Sequence, residues 1–441
     1  MRICIFTDSF LPYFSGVTYA VLNQASELVR RGHEVYIFRP KPWHSKQEGM
    51  DDVAEGVKIV NLPCSIPIPN VPKLHVVLPT FLYTIYKLLR LRPDVIHLNT
   101  EWGCGWEGVV AGRMMGIPAV GTFHTFFAEP GYLKAFGLPN NKIMRNIMWN
   151  YSVFFYSRCH ALTSPSAAVK NALVAHGVKT EPAVVSNGIE LPELIESEAV
   201  ERLREEHELT GPTFAYIGRI SPEKSLDVLL KAFAKVSQER DDARLAIVGD
   251  GPYRFKLRRQ IKQLGISEKT VQFGFVPHDE LIAQNIPRVA DIFITASKTE
   301  NQPMSILEAM AFGLPIVGAR AKGIPELVED GRDGLLFEPD DVDDMAAQML
   351  ASIQDPTALK EMSNNALLTA DAHTIERTVD RLEDVYLQAI EIKRGTEARE
   401  RASQSNQTAA ASAAPETTDE SPAATPDPDN HVASATAPGE F

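Results

Sequence analysis

Residues 299–315 read TENQPMSILEAMAFGLP and are the most informative part of the chain. Glu300 follows an apolar run at 291–297 that is typical of a buried strand, and Glu308 lies within a helix-like pattern. A loop from strand to helix brings both acids to the carboxyl edge of a sheet, where open α/β folds bind ligands. The helix N-terminus attracts anions, whereas carboxylates accept hydrogen bonds from hydroxyl groups. A nucleotide sugar offers both phosphates and hydroxyls, so this ligand class is expected.

The composition is typical of a globular protein with two domains and an appended tail. The chain has 441 residues, of which 44% are hydrophobic, enough for two full cores. No segment has the layout of a signal peptide, and the longest apolar run, 76–89, is interrupted by Pro79 and Lys87. We therefore expect a protein without a membrane-spanning helix. Reduced thiols and a cytoplasmic location are indicated by the widely spaced cysteines, Cys4, Cys64, Cys104 and Cys159.

Charge is distributed unevenly along the chain. Residues 1–190 hold 18 Lys and Arg against 13 Asp and Glu, whereas the remaining residues hold 26 against 44. A basic half on an acidic protein predicts a local anionic partner or surface. Nucleic acid is not expected as a partner, because no basic patch with interleaved aromatic residues resembles a nucleic-acid-binding module.

Short apolar strands alternate with helical patterns in two successive series. The fold class expected is therefore α/β, with two doubly wound Rossmann-like domains facing a central cleft. The first series of strands is predicted at 2–7, 34–39, 57–62, 94–99, 118–123, 159–163 and 183–187. The second is predicted at 213–218, 244–248, 270–273, 291–295, 315–318 and 334–337. The predicted boundaries are a first domain at 1–190, a second at 191–373 that opens on a charged linker, a terminal helix at 374–394 and a disordered tail at 395–441.

A second motif carries positive charge. Residues 214–227 read FAYIGRISPEKSLD, with Gly218 at a strand end, Arg219 next to it and Lys224 at the start of a helical pattern. Two cations at a helix N-terminus oppose the helix dipole unless an anion lies between them. A guanidinium and an ammonium group suit a diphosphate, although two solvated surface cations are the alternative.

Two further candidates lie in the first domain. Gly16 precedes a helical pattern and would let the backbone approach a phosphate, but a structural turn is the alternative. Its surroundings lack the dinucleotide-binding fingerprint, which counts against a dehydrogenase. His124 ends the strand at 118–123, where a histidine is often a core or rim residue.

The quoted motifs together resemble those of the retaining glycosyltransferases of family four, which have the two-domain GT-B fold. The resemblance covers about residues 1–390 and is greatest to bacterial lipid glucosyltransferases and mannosyltransferases. It implies catalytic roles for His124, Arg219, Lys224 and Glu300, no metal and no cofactor. It also implies a donor-binding set of Gly16, Gly218, Arg219, Lys224, Gly249, Asp250, Val276, Glu300, Asn301, Met304, Ser305 and Glu308. The family usually has a glycine-rich turn after the first acid, where this chain has Asn301, Gln302 and Pro303.

The resemblance implies transfer of a hexose from a UDP- or GDP-sugar to a membrane lipid such as diacylglycerol, giving an α-glycoside. Glucose is slightly favoured because the segment SIPIP at 65–69 is similar to that of diacylglycerol glucosyltransferases. The alternatives are a GDP-mannose-dependent mannosyltransferase acting on phosphatidylinositol or another glycolipid, or a transferase with a soluble acceptor. An epimerase of nucleotide sugars and a silent nucleotide-sugar-binding protein are alternatives of another class.

Two segments, 56–93 and 130–160, contain no carboxylate. The second has basic residues and a helical apolar stripe, which suits either a peripheral membrane contact or an ordinary core. We expect a membrane or acceptor surface here, at the inner face of the cell membrane. Its predicted residues are Lys134, Lys142, Arg145 and Trp149.

Overall fold

The computed structural model describes residues 1–412, except 44–49, 51–52, 69–70, 125, 130–132 and 134–136. Residues 1–393 form one compact unit, and the chain from Arg394 belongs to a second. The strands of the first unit are β1 Arg2–Phe6, β2 Glu34–Pro40, β3 Lys58–Leu62, β4 Ser65–Ile68, β5 Val71–Val77, β6 Val95–Leu98, β7 Ala119–Thr122, β8 Ala161–Ser164, β9 Ala183–Val184, β10 Thr213–Ile217, β11 Arg244–Val248, β12 Thr270–Gly274, β13 Ile292–Thr295, β14 Ile316–Ala319 and β15 Gly334–Phe337.

Apart from β4 and β5, these strands form two parallel sheets, which confirms the predicted fold class. The first sheet has the order β3-β2-β1-β6-β7-β8-β9 and the second the order β12-β11-β10-β13-β14-β15. In both, the chain moves outward to one edge and then returns past the first strand to the other edge. The carboxyl ends of β1 and β6, and of β10 and β13, therefore flank the point where the strand order reverses, which is the usual ligand position.

Each sheet is covered by helices on both faces because successive side chains of its strands point to opposite sides. In β1, Cys4 and Phe6 pack with helices Phe81–Leu91, Gly103–Met115 and Lys142–Tyr156. Ile3 and Ile5 pack with the helix Gly16–Arg30 and with the terminal helix. In the second sheet, helices Leu226–Glu239 and Val342–Ser352 cover one face, and Met304–Ala311 and Pro356–Ala372 cover the other.

The terminal helix begins at Ile375 and contacts the first domain. The chain leaves the first domain near Ile189 and returns to it near Ile375, and two backbone hydrogen bonds join these crossings. The Ile189 N–H donates to the His373 carbonyl at 3.1 Å, and the Ile375 N–H donates to the Ile189 carbonyl at 2.8 Å. Arg31 then pairs with Asp380 and Glu383, both at 2.6 Å. The remaining helices are Ala167–Ala175, Ser197–Glu206, Arg254–Gln263, His278–Ala283 and Ile324–Leu327.

The structure differs from the sequence-based expectations in three places. β4 and β5 form an antiparallel hairpin that the pattern did not predict, so the next helix begins at Phe81. The expected linker contains the helix Ser197–Glu206, whose Arg204 pairs with Asp291 at 3.0 Å. The terminal helix continues to Ser412, so residues 395–412 are helical where a disordered tail was predicted. This stretch is rich in Ala, Arg, Glu and Gln, which have high helix propensity. Residues 413–441 lie outside the described residues.

Candidate active site

Lys224 and Glu300 form an ion pair at the carboxyl edge of the second sheet. Lys224 closes a short 3₁₀ turn, Pro222–Lys224, which precedes the helix Leu226–Glu239, and Glu300 lies in the loop after β13. Lys224 Nζ lies 2.5 Å from Glu300 Oε1, and both side chains are about four-fifths buried, with 22% and 18% exposed. Burial alone raises the pKa of Glu300, but Lys224 and Arg219 outweigh this effect and the pKa is lowered. Glu300 is therefore ionised at neutral pH.

Arg219 extends into solvent beside this pair. Its guanidinium lies 3.5 Å from Glu223, and its side chain is 59% exposed. The backbone of Arg219 is held in place because the buried Tyr216 hydroxyl donates to its carbonyl at 2.9 Å. The structure thus brings Arg219, Lys224 and Glu300 together as the motifs predicted, with the two cations on one side of an open cleft.

The strand ends next to Arg219 approach closely because two glycines allow it. Gly218 has φ +152° and Gly249 has φ +137°. A Cβ atom on Gly249 would lie 2.0 Å from the Gly218 carbonyl oxygen. A side chain at Gly249 would therefore force the ends of β10 and β11 apart, beside the pocket that Gly249 lines.

That pocket has a volume of about 240 Å³, and its polar lining includes Asp250, Arg254 and Arg258. Phe275 also lines it and is 73% exposed. The side chain of Val276, which the resemblance assigned to the donor, packs with the buried Val248 and Leu281. The residue one position earlier, Phe275, lines the pocket.

Glu308 lies on the helix Met304–Ala311 and has a partner that the sequence reasoning missed. His278 Nε2 lies 3.1 Å from Glu308 Oε1. The His278 ring in turn contacts the Tyr19 ring of the first domain, with centroids 4.8 Å apart. No spacing motif marks His278, so only its position four residues after β12 could have suggested it.

The loop at Gly16 faces this helix from the first domain. Ser15 caps the helix Gly16–Arg30 by accepting a hydrogen bond from the Thr18 N–H at 3.2 Å. A Cβ atom on Gly16 would lie 3.9 Å from Met304 Cγ, so the predicted donor residues Gly16 and Met304 lie on opposite sides of the same narrow cleft. Ser305 follows Met304 in the first turn of its helix and is half-buried.

His124 lies at the end of β7 and is buried. Its Nε2 lies 2.8 Å from Asn99 Oδ1, and its carbonyl accepts a hydrogen bond from Asn301 Nδ2 at 2.8 Å. Burial lowers the pKa of His124 to about 4, so the ring is neutral at pH 7. The contact with Asn301 joins the two domains and places His124 beside the turn at 301–303.

The turn that departs from the family pattern also binds the first domain. Gln302 Oε1 accepts from the Asn187 N–H at 2.7 Å, and Gln302 Nε2 donates to Ser186 Oγ at 3.0 Å. Pro303 has no N–H to offer a ligand. Side chains at this turn therefore perform interdomain contacts that a glycine-rich turn cannot make.

The candidate membrane surface is only partly as expected. On the helix Lys142–Tyr156, Ile143 and Ile147 are 73% and 51% exposed, and Lys142 and Arg145 are exposed beside them. Trp149 is different: it is half-buried and stacks on His176, with centroids 3.7 Å apart. Trp149 therefore lies at the margin of the core, with one face of its ring covered by His176. Lys134 lies outside the described residues.

Among the residues that the structure describes, no three His, Cys, Asp or Glu side chains are grouped so that they could hold a metal ion. The four cysteines are free thiols. Within the same described ranges, no helix is both long and apolar enough to cross a bilayer.

Two doubly wound domains with facing strand ends, and a cleft that combines cations with carboxylates, define a GT-B glycosyltransferase. The chain belongs to this family: residues 14–193 match the family described as Glycosyltransferase Family 4, and residues 199–368 match Glycosyl transferases group 1. A solved structure of Anabaena HepE with UDP and glucose superposes with a TM-score of 0.70 at 20% identity, over 87% of this chain and 98% of that one.

Curated relatives align along most of their length. An alpha-monoglucosyldiacylglycerol synthase of Acholeplasma laidlawii is 28% identical over 412 residues, which cover 89% of this chain and 98% of the relative. A GDP-mannose-dependent alpha-mannosyltransferase of Mycolicibacterium smegmatis is 30% identical over 343 residues, which cover 77% of this chain and 85% of the relative. This chain is accordingly a hexosyltransferase by family.

Proposed function

We propose that the protein is a retaining, metal-independent transferase that moves a hexose from a nucleotide-diphosphate sugar to a membrane lipid such as diacylglycerol. The observation that carries this proposal is the grouping of Arg219, Lys224 and Glu300 at one strand edge, with Lys224 2.5 Å from Glu300. Two cations at the start of a helix oppose the helix dipole and destabilise the helix when no anion is bound. A diphosphate could bind to both cations.

The proposed reaction replaces one bond by another on the same face of the sugar. The bond from the sugar C1 to the leaving phosphate oxygen breaks while a bond from C1 to the acceptor oxygen forms. The acceptor's proton passes to the leaving phosphate, and no side chain acts as nucleophile. Arg219 and Lys224 stabilise the charge that grows on the diphosphate, and no metal ion is required for this role. The linkage of the donor is thereby kept, giving an α-glycoside.

The carboxylates have separate proposed roles. Glu308 accepts hydrogen bonds from the ribose hydroxyls and exchanges His278 for them when the nucleotide binds. Glu300, held by Lys224, accepts from hydroxyls of the transferred sugar, while neutral His124 contacts the sugar from the first domain. The nucleotide base occupies the pocket beside Phe275, whose exposed ring can pack on it.

UDP-glucose is the donor that we favour. The synthase of Acholeplasma laidlawii aligns over 98% of its length, and the residues 65–68 that resemble such enzymes form one strand of the hairpin. GDP-mannose is the second candidate, because the mannosyltransferase of Mycolicibacterium smegmatis is 30% identical. Measuring which UDP- or GDP-sugar the protein hydrolyses, with and without lipid vesicles, would identify the donor.

The proposed acceptor surface is built from two helices on one face of the first sheet. Leu82 on the helix Phe81–Leu91 is 84% exposed, and Ile143 on the helix Lys142–Tyr156 is 73% exposed. Cations accompany them: Lys87 lies over Tyr83, and Arg90 over Tyr86. Exposed apolar side chains among cations are suited to a bilayer with anionic lipids, where each Lys or Arg contributes about 1 kcal/mol.

Two alternatives of another class predict different products. A nucleotide-sugar epimerase would convert the donor when no acceptor is present, and a silent binding protein would leave the donor unchanged. Lys224, Glu300 and Glu308 are all in place, which supports a transferase over a silent binder. Chromatography of the nucleotide sugar after incubation without lipid separates these outcomes.

A further inference from the structure

The strongest unassigned feature of the cleft is the side chain of Asn99. Asn99 directly follows β6, and its N–H donates to the Phe6 carbonyl at 2.9 Å, so its backbone is fixed to the first sheet. Its Oδ1 lies 2.8 Å from His124 Nε2, and both residues are buried, with 2% and 8% exposed. This is a rigid contact from one strand end to the next.

The contact determines where the histidine carries its proton. A carboxamide oxygen can only accept a hydrogen bond, so Nε2 must donate and Nδ1 keeps its lone pair. The ring is neutral at pH 7 and holds one proton, which is therefore on Nε2. His97, the neighbouring histidine on β6, is also neutral because burial lowers its pKa to about 3.

Two polar atoms next to His124 are left without a partner. Asn99 Nδ2 and Asn301 Oδ1 are buried and have no hydrogen-bond partner among the described residues. The other amide atom of each residue binds His124: Asn99 Oδ1 at its ring and Asn301 Nδ2 at its carbonyl. A free donor and a free acceptor therefore flank the same histidine. Buried polar atoms are rarely left unpaired, and a hydroxyl group can both accept and donate.

We propose that Asn99 is a further residue of the donor-sugar site, which orients His124 through Oδ1 and donates to a hydroxyl of the transferred sugar through Nδ2. The inference rests on the proposed binding of a nucleotide sugar in this cleft. Asn301 Oδ1, from the second domain, accepts from a hydroxyl of the same sugar. The sugar thus completes hydrogen bonds that both domains leave open.

The test compares Asn99→Leu, which removes both contacts at similar volume, with Asn99→Asp, which keeps an acceptor for His124 and removes the donor. Asn365→Leu is the matched control, since Asn365 lies on the helix Pro356–Ala372 of the second domain and makes an exposed hydrogen bond to the Arg332 carbonyl at 3.0 Å. Calorimetry would measure the affinity of each variant for UDP, GDP, UDP-glucose and GDP-mannose.

Both Asn99 variants should bind the nucleotide sugar about tenfold more weakly while binding the free nucleotide as the wild type does, because one hydrogen bond of about this strength is lost. Nitrogen-15 spectra of the His124 ring at pH 7, assigned with His124→Ala, should show the proton on Nε2 in the wild type. Asn99→Leu should lower the fraction of His124 rings that carry the proton on Nε2.

Equal losses for nucleotide and nucleotide sugar would overturn the inference, and so would a proton on Nδ1 in the wild type. Neither measurement needs an acceptor. A wild-type protein that binds the sugar nucleotide but transfers nothing to lipid would contradict the proposed function and leave the assignment of Asn99 intact.

Discussion

Lys224 Nζ lies 2.5 Å from Glu300 Oε1 across the edge of the second sheet, although the two residues are 76 positions apart in the chain. Each compensates the charge of the other while the cleft holds no ligand. A donor diphosphate would compete for the ammonium group, and the sugar hydroxyls would then satisfy the carboxylate. The pair thus holds the ammonium and carboxylate groups next to each other at the strand edge.

Removing either cation should slow transfer strongly. Arg219→Ala and Lys224→Ala each remove a charge-assisted contact to the leaving diphosphate, at a cost of about 2–4 kcal/mol in the transition state, or about 30- to 1,000-fold in kcat/KM. Steady-state kinetics measures this, with circular dichroism to check folding. The control is Lys235→Ala, which breaks an exposed ion pair with Asp343. Near-native turnover in both cleft variants would refute the assignment.

The two acids should respond differently to amide substitution. Glu308→Gln should weaken binding of nucleotide and nucleotide sugar alike, because the ribose is common to both ligands. Glu300→Gln should weaken the nucleotide sugar more than the free nucleotide, because only the former carries the hexose. Calorimetry gives both affinities, and Glu329→Gln, an exposed acid paired with Arg332, is the control. Parallel losses in the two cleft variants would contradict the proposed division.

The contribution of Glu101 to stability should fall as pH rises between about 4.5 and 7, in the opposite sense to the buried His97 and His124, whose lowered pKa values make stability rise with pH. Burial raises the pKa of Glu101 to about 7, although Ser152 and Tyr156 donate to it at 2.9 and 3.0 Å. The folded state therefore holds a proton that the unfolded state releases near its usual pKa of 4.5, and this contribution is lost as pH rises through 7. The free energy of unfolding should lose on the order of 3 kcal/mol from this group.

Urea unfolding at pH 5 and pH 8 measures the effect. The free energy of unfolding at pH 8 minus that at pH 5 should be more positive in Glu101→Gln than in the wild type, because an amide carries no charge in either state. Glu206→Gln, at an exposed helix position, should leave the difference as in the wild type. An identical pH dependence in Glu101→Gln and wild type would show that Glu101 is not the group responsible.

The parts of the fold that the sequence predicted well are those with a periodic apolar pattern. The strands Arg244–Val248 and Gly334–Phe337 begin and end where they were predicted. The hairpin was missed because Pro67 and Pro72 interrupt the pattern of alternation, and prolines usually argue against strands. The helix Ser197–Glu206 was missed because only Val200 of its ten residues is buried, so its charges resembled a linker.

The site was predictable where a motif carries its own chemistry, as with Arg219, Lys224 and Glu300. His278 and Asn99 could not be found in this way, since each acts through a partner that is distant in sequence: Glu308 is 30 positions from His278, and His124 is 25 from Asn99. The partial burial of Trp149 could not be predicted, because an aromatic residue on an amphipathic helix can face either the core or the solvent, and tertiary packing decides between them.

Binding to anionic vesicles should fall steeply as salt rises, since attraction at a surface is screened over about 8–10 Å at physiological ionic strength. Neutralising Lys142 and Arg145 together should lower vesicle binding and lipid glycosylation while acceptor-free hydrolysis of the donor continues. The matched control neutralises Lys231 and Lys235 on the second domain. If vesicles with and without anionic lipid bind the protein equally weakly, a soluble acceptor replaces the membrane lipid as the better proposal.

The central claim is a retaining transfer of hexose to a lipid, and the anomeric configuration of the product tests it most directly. The protein is incubated with vesicles containing diacylglycerol and anionic lipid, with UDP-glucose in one reaction and GDP-mannose in another, each labelled with carbon-13 in the sugar. The extracted lipid is then examined by NMR. We expect an α-linked glycolipid from one of the two donors, formed equally well after treatment with a metal chelator. A β-linked product, or labelled sugar that never enters the lipid fraction with either donor, would contradict it.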